Sequence, residues 1–303
     1  MSTTQTESID SSLNDLDLQS NEQVLEHLLQ SQERAVAAVR QAKSMLDSAV
    51  SAASLRLSTG QGRLVLAGAG ASGRLAVQDG AELWPTFGWP HERLLLKMAG
   101  GSAALLASIE DVEDDSSGAI DDVKQNAINS NDVVVAVAAS GESAWTCSWL
   151  EQARLQGALT IGMANNQRTR LLNGADCPVW LDTGAEVLAG STRMAAGTAQ
   201  KIALNTFSTT LMIRLNRTYG NLMVDMAAVN KKLDRRRIRL LQGVLPHLND
   251  GEAQMAIDAA QGWVKLAALL ASGDDVAQGK ERLVAHQGSL RDALSARCAE
   301  NTG

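Results

Sequence analysis

Leu64-Val65-Leu66-Ala67-Gly68-Ala69-Gly70-Ala71-Ser72-Gly73-Arg74 is the stretch that decides how this chain folds. A short apolar run stops at closely spaced glycines and then resumes as helix-forming sequence. The pattern predicts a buried strand passing into a helix through a loop with little side-chain bulk. Glycines let a backbone approach a ligand, and the free N–H groups of a first helical turn attract an anion. The stretch therefore predicts a phosphate cradle with Gly70, Ser72 and Gly73 as contact residues.

Downstream, short apolar runs at 63–67, 94–98, 132–138, 159–163 and 178–181 alternate with helical stretches near 74–82, 102–109, 115–128, 143–156 and 168–173. Strands that are apolar throughout and separated by helices mean a parallel sheet covered on both faces. The fold class expected is α/β, a doubly wound, five-stranded parallel sheet in the flavodoxin-like order 2-1-3-4-5. Upstream, residues 1–19 read as a polar arm without a core of its own. Ser20-Asn21-Glu22-Gln23 reads as a capping box that opens a helix running to about residue 57. After a loop at 182–193 come a small-residue-rich helix at 194–216 and a helical segment at 220–241. About three short helices follow, punctuated at Gly251, Gly262, Gly273 and Gly288, and form a small all-helical C-terminal subdomain. The expected partition is thus 1–19, 20–57, 58–242 and 243–303.

The 303 residues are 45% hydrophobic and 20% charged, as in an ordinary globular protein. A net charge of −7 leaves no excess cation to neutralise phosphodiesters, which argues against a nucleic-acid partner. No run approaches the roughly 18 uninterrupted apolar residues of a membrane span, and the N-terminal stretch has no apolar signal core. A cytoplasmic protein without a membrane partner is expected. Cys147, Cys177 and Cys298 are far apart, as are His27, His91, His247 and His286, so neither set has metal-ligand spacing.

Gly68-Ala69-Gly70-Ala71-Ser72-Gly73 matches G-x-G-x-x-G, the dinucleotide fingerprint, but that reading needs an acidic residue at the end of the second strand to hold a ribose. The second strand here ends Leu96-Lys97-Met98-Ala99-Gly100-Gly101, with no carboxylate. The third strand also ends in a small hydroxyl-bearing loop, Ala138-Ala139-Ser140-Gly141-Glu142-Ser143. In a 2-1-3-4-5 sheet, strands one and three are neighbours whose carboxyl ends bound the ligand crevice. Ser72, Ser140, Gly141 and Ser143 then converge on one phosphomonoester rather than on a long dinucleotide.

A strand ending Gly-Ala-Gly-x-Ser-Gly-Arg with a later Ala-Ala-Ser-Gly loop resembles the sugar isomerase (SIS) fold of phosphosugar enzymes and regulators. Within that group the chain is similar to the N-acetylmuramic acid 6-phosphate etherases of bacterial cell-wall recycling, from about residue 20 to 298. The resemblance is carried by Asp79-Gly80-Ala81-Glu82, Pro85-Thr86-Phe87-Gly88, Glu110-Asp111-Val112-Glu113-Asp114 and Gly190-Ser191-Thr192-Arg193-Met194. It continues in Gly197-Thr198-Ala199-Gln200-Lys201, Asn221-Leu222-Met223-Val224-Asp225 and His286-Gln287-Gly288.

The resemblance implies a homodimeric carbon–oxygen lyase acting on a phosphorylated amino sugar. It would remove D-lactate from C3 by elimination and water addition, with no metal or redox cofactor. The family's two catalytic glutamates fall on Glu82, which would protonate the departing oxygen, and on Glu113, which would handle the C2 proton and the water. By spacing alone, Glu113 belongs to an acidic run that describes a solvated helix-start face. The resemblance also implies substrate contacts at Ser191, Thr192 and Lys201, with Arg74, Arg193 and Lys201 as counter-charges. Where the family carries Ser-Gly-Arg-Thr-Pro, this chain has Ser140-Gly141-Glu142-Ser143-Ala144, and Ala195 stands where a Lys is usual. The first change sets an anion beside an anionic ligand unless the Glu142 side chain turns away. The family's N-terminal Thr-Glu-x-Arg-Asn-Pro segment is represented here by Thr6-Glu7 alone. A different class, a non-catalytic sugar-phosphate-binding regulator, would keep the phosphate loops without needing the glutamates.

Overall fold

A computed structural model describes residues 5–226 and 231–301. In chain order the elements are α1 (Asn21–Gln41), α2 (Lys43–Leu57), β1 (Leu64–Gly68), α3 (Gly70–Ala81), α4 (Leu83–Phe87), β2 (Leu94–Met98), α5 (Ala103–Leu106), α6 (Ser116–Gln125), β3 (Val133–Val137), α7 (Ala144–Leu155), β4 (Leu159–Ala164), α8 (Arg170–Gly174), β5 (Cys177–Trp180), α9 (Ala195–Arg214), α10 (Lys231–Val244), α11 (Asp250–Ala259), α12 (Val264–Ala271), α13 (Val276–Ala285) and α14 (Leu290–Asn301). The predicted capping box opens α1: Ser20 Oγ accepts from Gln23 N at 3.3 Å, and Gln23 Oε1 accepts from Ser20 N at 3.0 Å.

The five strands form one parallel sheet in the order β2-β1-β3-β4-β5. Side chains alternate across a strand, and the two faces of β1 meet different helices. Val65 and Ala67 join Val134 in a core with Ala119 and Val123 of α6 and Trp145 and Trp149 of α7. On the other face, Gly80 of α3 sits so close to Leu66 and Leu96 that an added Cβ would meet their side chains at 3.0 and 2.3 Å. Helices on both faces make the sheet doubly wound, as the alternation of apolar runs required. Gly68 pairs with Val137, so the carboxyl ends of β1 and β3 lie side by side and their following loops border one crevice. Gly73 is fixed by packing: a Cβ there would stand 2.7 Å from Gly68 O, backbone against backbone.

The described chain divides into two compact units, residues 1–81 with 92–208, and residues 82–91 with 209–303. The first holds the sheet. The second has its own core, with Leu241 of α10, Ile257 of α11, Leu269 of α12, Leu283 of α13 and Ala293 of α14 among its buried members. Within it, Lys265 of α12 is 2% exposed. Its Nζ donates to Asn216 O at 2.7 Å, Asp225 Oδ2 at 2.5 Å and Gly288 O at 2.9 Å. Asp225 also accepts from Trp263 Nε1 at 3.1 Å and lies 3.7 Å from Arg217 Nη1. Burial pushes the Lys265 ammonium below its ordinary pKa, against the pull of Asp225.

Two expectations for this half of the chain are corrected. Four helices follow Pro246 rather than about three, because Gly251 lies inside the first turn of α11 and interrupts nothing. Gly262, Gly273 and Gly288, at positive φ, are the true stops. The helix expected over 220–241 is absent from 220–226, where Tyr219 and Leu222 exchange backbone hydrogen bonds around a tight turn with Gly220 at φ 57°, and α10 is described from Lys231 on. Residues 1–4 of the expected arm and 227–230 of that segment lie outside the described residues.

Candidate active site

The β1–α3 turn is built as its glycines require. Gly70 opens α3 at φ 53°, in the left-handed region. The first N–H groups of a helix have no intrahelical acceptor, and they form its positive end. Against this turn stands Glu113: a Cβ on Gly70 would meet its Oε1 at 2.5 Å. The acidic run is exposed and leads into α6, which Asp115 caps by accepting from Gly118 N at 2.8 Å, as a helix-start run should. Glu113, in the loop before α6, also turns its carboxylate to the start of α3. Its backbone is held from the neighbouring turn, with Glu113 O accepting from Trp145 N at 2.8 Å and from Ser143 Oγ at 3.3 Å. Gly70, Ser143 and Glu113 are therefore one assembly, with Ser72 and Gly73 following in the first turn of α3.

The β3–α7 turn is fastened on its other side to α8. Gly141, at φ 73°, leaves no room for a Cβ beside the Thr169 side chain, and its carbonyl accepts from Leu171 N at 3.0 Å. Cys147 Sγ donates to the same carbonyl at 3.4 Å, and burial pushes this thiol up to about 12. Ser140 Oγ accepts from Glu142 N at 3.1 Å. Glu142 turns toward α8, where its Oε1 accepts from Arg170 N at 3.0 Å. The anion that replaces the family's cation is thus tied to a backbone donor and lies beside the Arg170 charge. Arg170 is itself ion-paired with Glu151 at 2.7 Å.

Two neighbouring asparagines were not singled out from the sequence, and both are buried just past β4. Asn165 Nδ2 donates to Leu181 O at 3.1 Å and Thr183 Oγ1 at 3.2 Å, while its Oδ1 accepts from Gln200 Nε2 at 2.9 Å. Asn166 faces the Ser140 turn and the N-terminal residues. A strand-end Asn-Asn pair is the signal that marked them, although its meaning rests on partners far away in sequence. Glu186 was missed as well: it is 1% exposed, and its two oxygens accept from Ala195 N at 3.0 Å and Ala196 N at 2.9 Å. It thereby caps α9 at the position where a Lys was expected.

The remaining expected contacts come from other segments of the chain. Arg74 donates to the carbonyls of Ala104 and Ala107, each at 3.0 Å, so it closes the end of α5. Ser191 and Thr192 form a turn after Gly190, with Ser191 N donating to Leu188 O at 2.9 Å. Lys201 Nζ donates to Asn205 Oδ1, and Asn205 Nδ2 donates to Asp79 Oδ1. Glu82 lies just beyond α3, at the turn into α4, and belongs to the second compact unit. Among the described residues, no group of three or more His, Cys, Asp or Glu could hold a metal ion, and no helix is long and apolar enough to cross a membrane.

Asp79 is 6% exposed with Oδ2 lacking a partner, and burial raises its pKa above 3.8, with hydrogen bonds from Ser208 and Asn205 opposing the shift. The folded state therefore holds this proton where the unfolded chain releases it, so stability falls as pH rises through the folded pKa. Asp79→Asn abolishes that fall. Melting temperatures of the two proteins from about pH 4 to about pH 8 should converge at the acid end and separate in favour of the variant above it. Parallel curves would contradict the assignment.

The family model for the glucokinase regulatory protein N-terminal SIS domain matches residues 46–153. A protein of Deinococcus radiodurans named N-acetylmuramic acid 6-phosphate etherase is 44% identical over 95% of this chain and 94% of that one. Proteins with the same name from Nostoc sp. (41% identical, 86% of this chain and 85% of that one) and, as etherase 2, from Vibrio parahaemolyticus (37% identical, 96% of both) are also similar. Among solved structures, a phosphoheptose isomerase from Neisseria gonorrhoeae is a distant likeness. It has 17% identity over 63% of this chain and 97% of that one, with a TM-score of 0.44.

Proposed function

The chain belongs to the N-acetylmuramic acid 6-phosphate etherase family, and on that premise we propose that it cleaves the D-lactyl ether of this phosphosugar. In the open-chain aldehyde, Glu113 takes the C2 proton as the C3–O bond breaks, and Glu82 protonates the departing oxygen to release D-lactate. Water then adds at C3 of the unsaturated intermediate and a proton returns to C2, giving N-acetylglucosamine 6-phosphate. The paired roles need one carboxylate and one carboxylic acid, which two glutamates supply. The phosphate is bound by the turns at Gly70–Gly73 and Ser140–Ser143, with Ser191, Thr192 and Lys201 as further contacts. Arg74 supports the cradle through α5.

The observation that carries this reading is the Glu113 carboxylate against Gly70: the residue is exposed, yet its carboxylate is turned to the opening of α3, where the proposed phosphate turn begins. Direct measurement of D-lactate from N-acetylmuramic acid 6-phosphate tests it. One lactate should appear per N-acetylglucosamine 6-phosphate formed. Binding of the phosphosugar without lactate would overturn the enzymatic reading.

The working form is a cytoplasmic homodimer. Supporting the dimer, Leu25, Leu29 and Val36 are exposed along one face of α1, an apolar stripe of the kind two copies bury together. Supporting the compartment, Cys147 and Cys177 are free thiols. Light scattering of the purified protein decides the first point.

A further inference from the structure

We infer that the N-terminal turn at Thr6 and Glu7 is a working part of the site, with Thr6 and Asn166 acting as positioning residues for the Ser140 turn. The inference rests on the proposed phosphate-binding role of that turn. Thr6 is fully buried although it lies in a polar arm. Its N–H donates to Asn166 Oδ1 at 3.1 Å, and its Oγ1 accepts from Asn166 Nδ2 at 2.8 Å, so the amide is clasped from both ends across 160 residues of sequence. The same Nδ2 points at Ser140 O at 3.3 Å and Ala139 O at 3.4 Å.

An amide nitrogen has two hydrogens. One goes to Thr6 Oγ1, and the other is shared between the two loop carbonyls. The Thr6 N–H fixes which end of the amide is oxygen. Without it the amide can turn over, which would set its oxygen against two carbonyl oxygens and push the Ser140 turn outward. Next to Thr6, the Glu7 carboxylate lies over a second turn: a Cβ on Gly190 would meet its Oε2 at 3.8 Å. Two adjacent arm residues therefore reach two of the turns proposed to contact substrate, Thr6 through Asn166 and Glu7 directly at Gly190. These contacts give a polar segment with no core of its own a fixed place.

The test is steady-state kinetics of lactate release with Thr6→Val, Thr6→Ser, Asn166→Asp and a chain lacking residues 1–8. Thr6→Val keeps the shape but loses the acceptor, so KM should rise about tenfold with kcat within twofold. Thr6→Ser should restore the wild-type KM. Asn166→Asp, which loses both donors, and the shortened chain should raise KM at least as far. Thermal unfolding of each variant is measured alongside, and melting temperatures near wild type are expected because the arm adds little to the core. The inference is overturned if Thr6→Val and the shortened chain keep the wild-type KM, or if Thr6→Ser fails to rescue. A wild-type protein that releases no lactate would instead sink the reading of the function, and inorganic phosphate binding by the same variants would then decide the positioning claim by itself.

Discussion

Glu113→Gln should lower kcat for lactate release by about a thousandfold while leaving KM within a few-fold of wild type, the size of effect expected when a positioned general base is removed. Glutamine keeps the volume of the side chain and its place against Gly70. The bonds from Trp145 N and Ser143 Oγ go to the backbone carbonyl of residue 113, which the substitution leaves untouched. The turns that hold the phosphate therefore survive, and binding of the product, N-acetylglucosamine 6-phosphate, is the control. A variant that turns over within threefold of wild type would remove Glu113 from the chemistry. One that loses product binding in the same proportion would make it a structural residue of the cradle.

Lys265→Met should destabilise the second unit by about 3–5 kcal/mol, because it leaves a buried carboxylate without its closest cation. Asp225 keeps Trp263 Nε1 and the more distant Arg217, which compensate only in part. Asn216 O and Gly288 O also lose a donor. Combining Lys265→Met with Asp225→Asn removes the stranded charge, so the double variant should be more stable than the single one. Denaturant unfolding followed by tryptophan fluorescence reads both. A loss below about 1 kcal/mol, or no recovery in the double variant, would contradict the account.

What could be read from the sequence follows from where the information lies. The five strands were legible because runs such as Val133–Val137 are apolar at every position, as in a sheet covered on both faces, and their order followed from assuming a doubly wound topology. The capping box at Ser20 was legible because all its partners fall within four residues. Glu82 was expected inside a helix that in fact ends at Ala81, one residue earlier. The direction of Glu142 was not legible, since it depends on the N–H of Arg170, 28 residues later. Thr6 was hidden for the same reason over a longer reach. Local chemistry writes elements into the sequence, whereas the bonds that orient this site join residues whose proximity only the folded sheet creates.

The thiol of Cys147 has a kinetic consequence. Only the thiolate reacts with alkylating reagents, and this thiol is both buried and bonded to the carbonyl of Gly141. Cys298 lies on the surface, so its exposure does not depend on the Ser140 turn. Cys147 must wait until the Ser140 turn lets go of α8, so its labelling rate is a clock for how often the phosphate cradle opens, and a bound phosphosugar slows that clock.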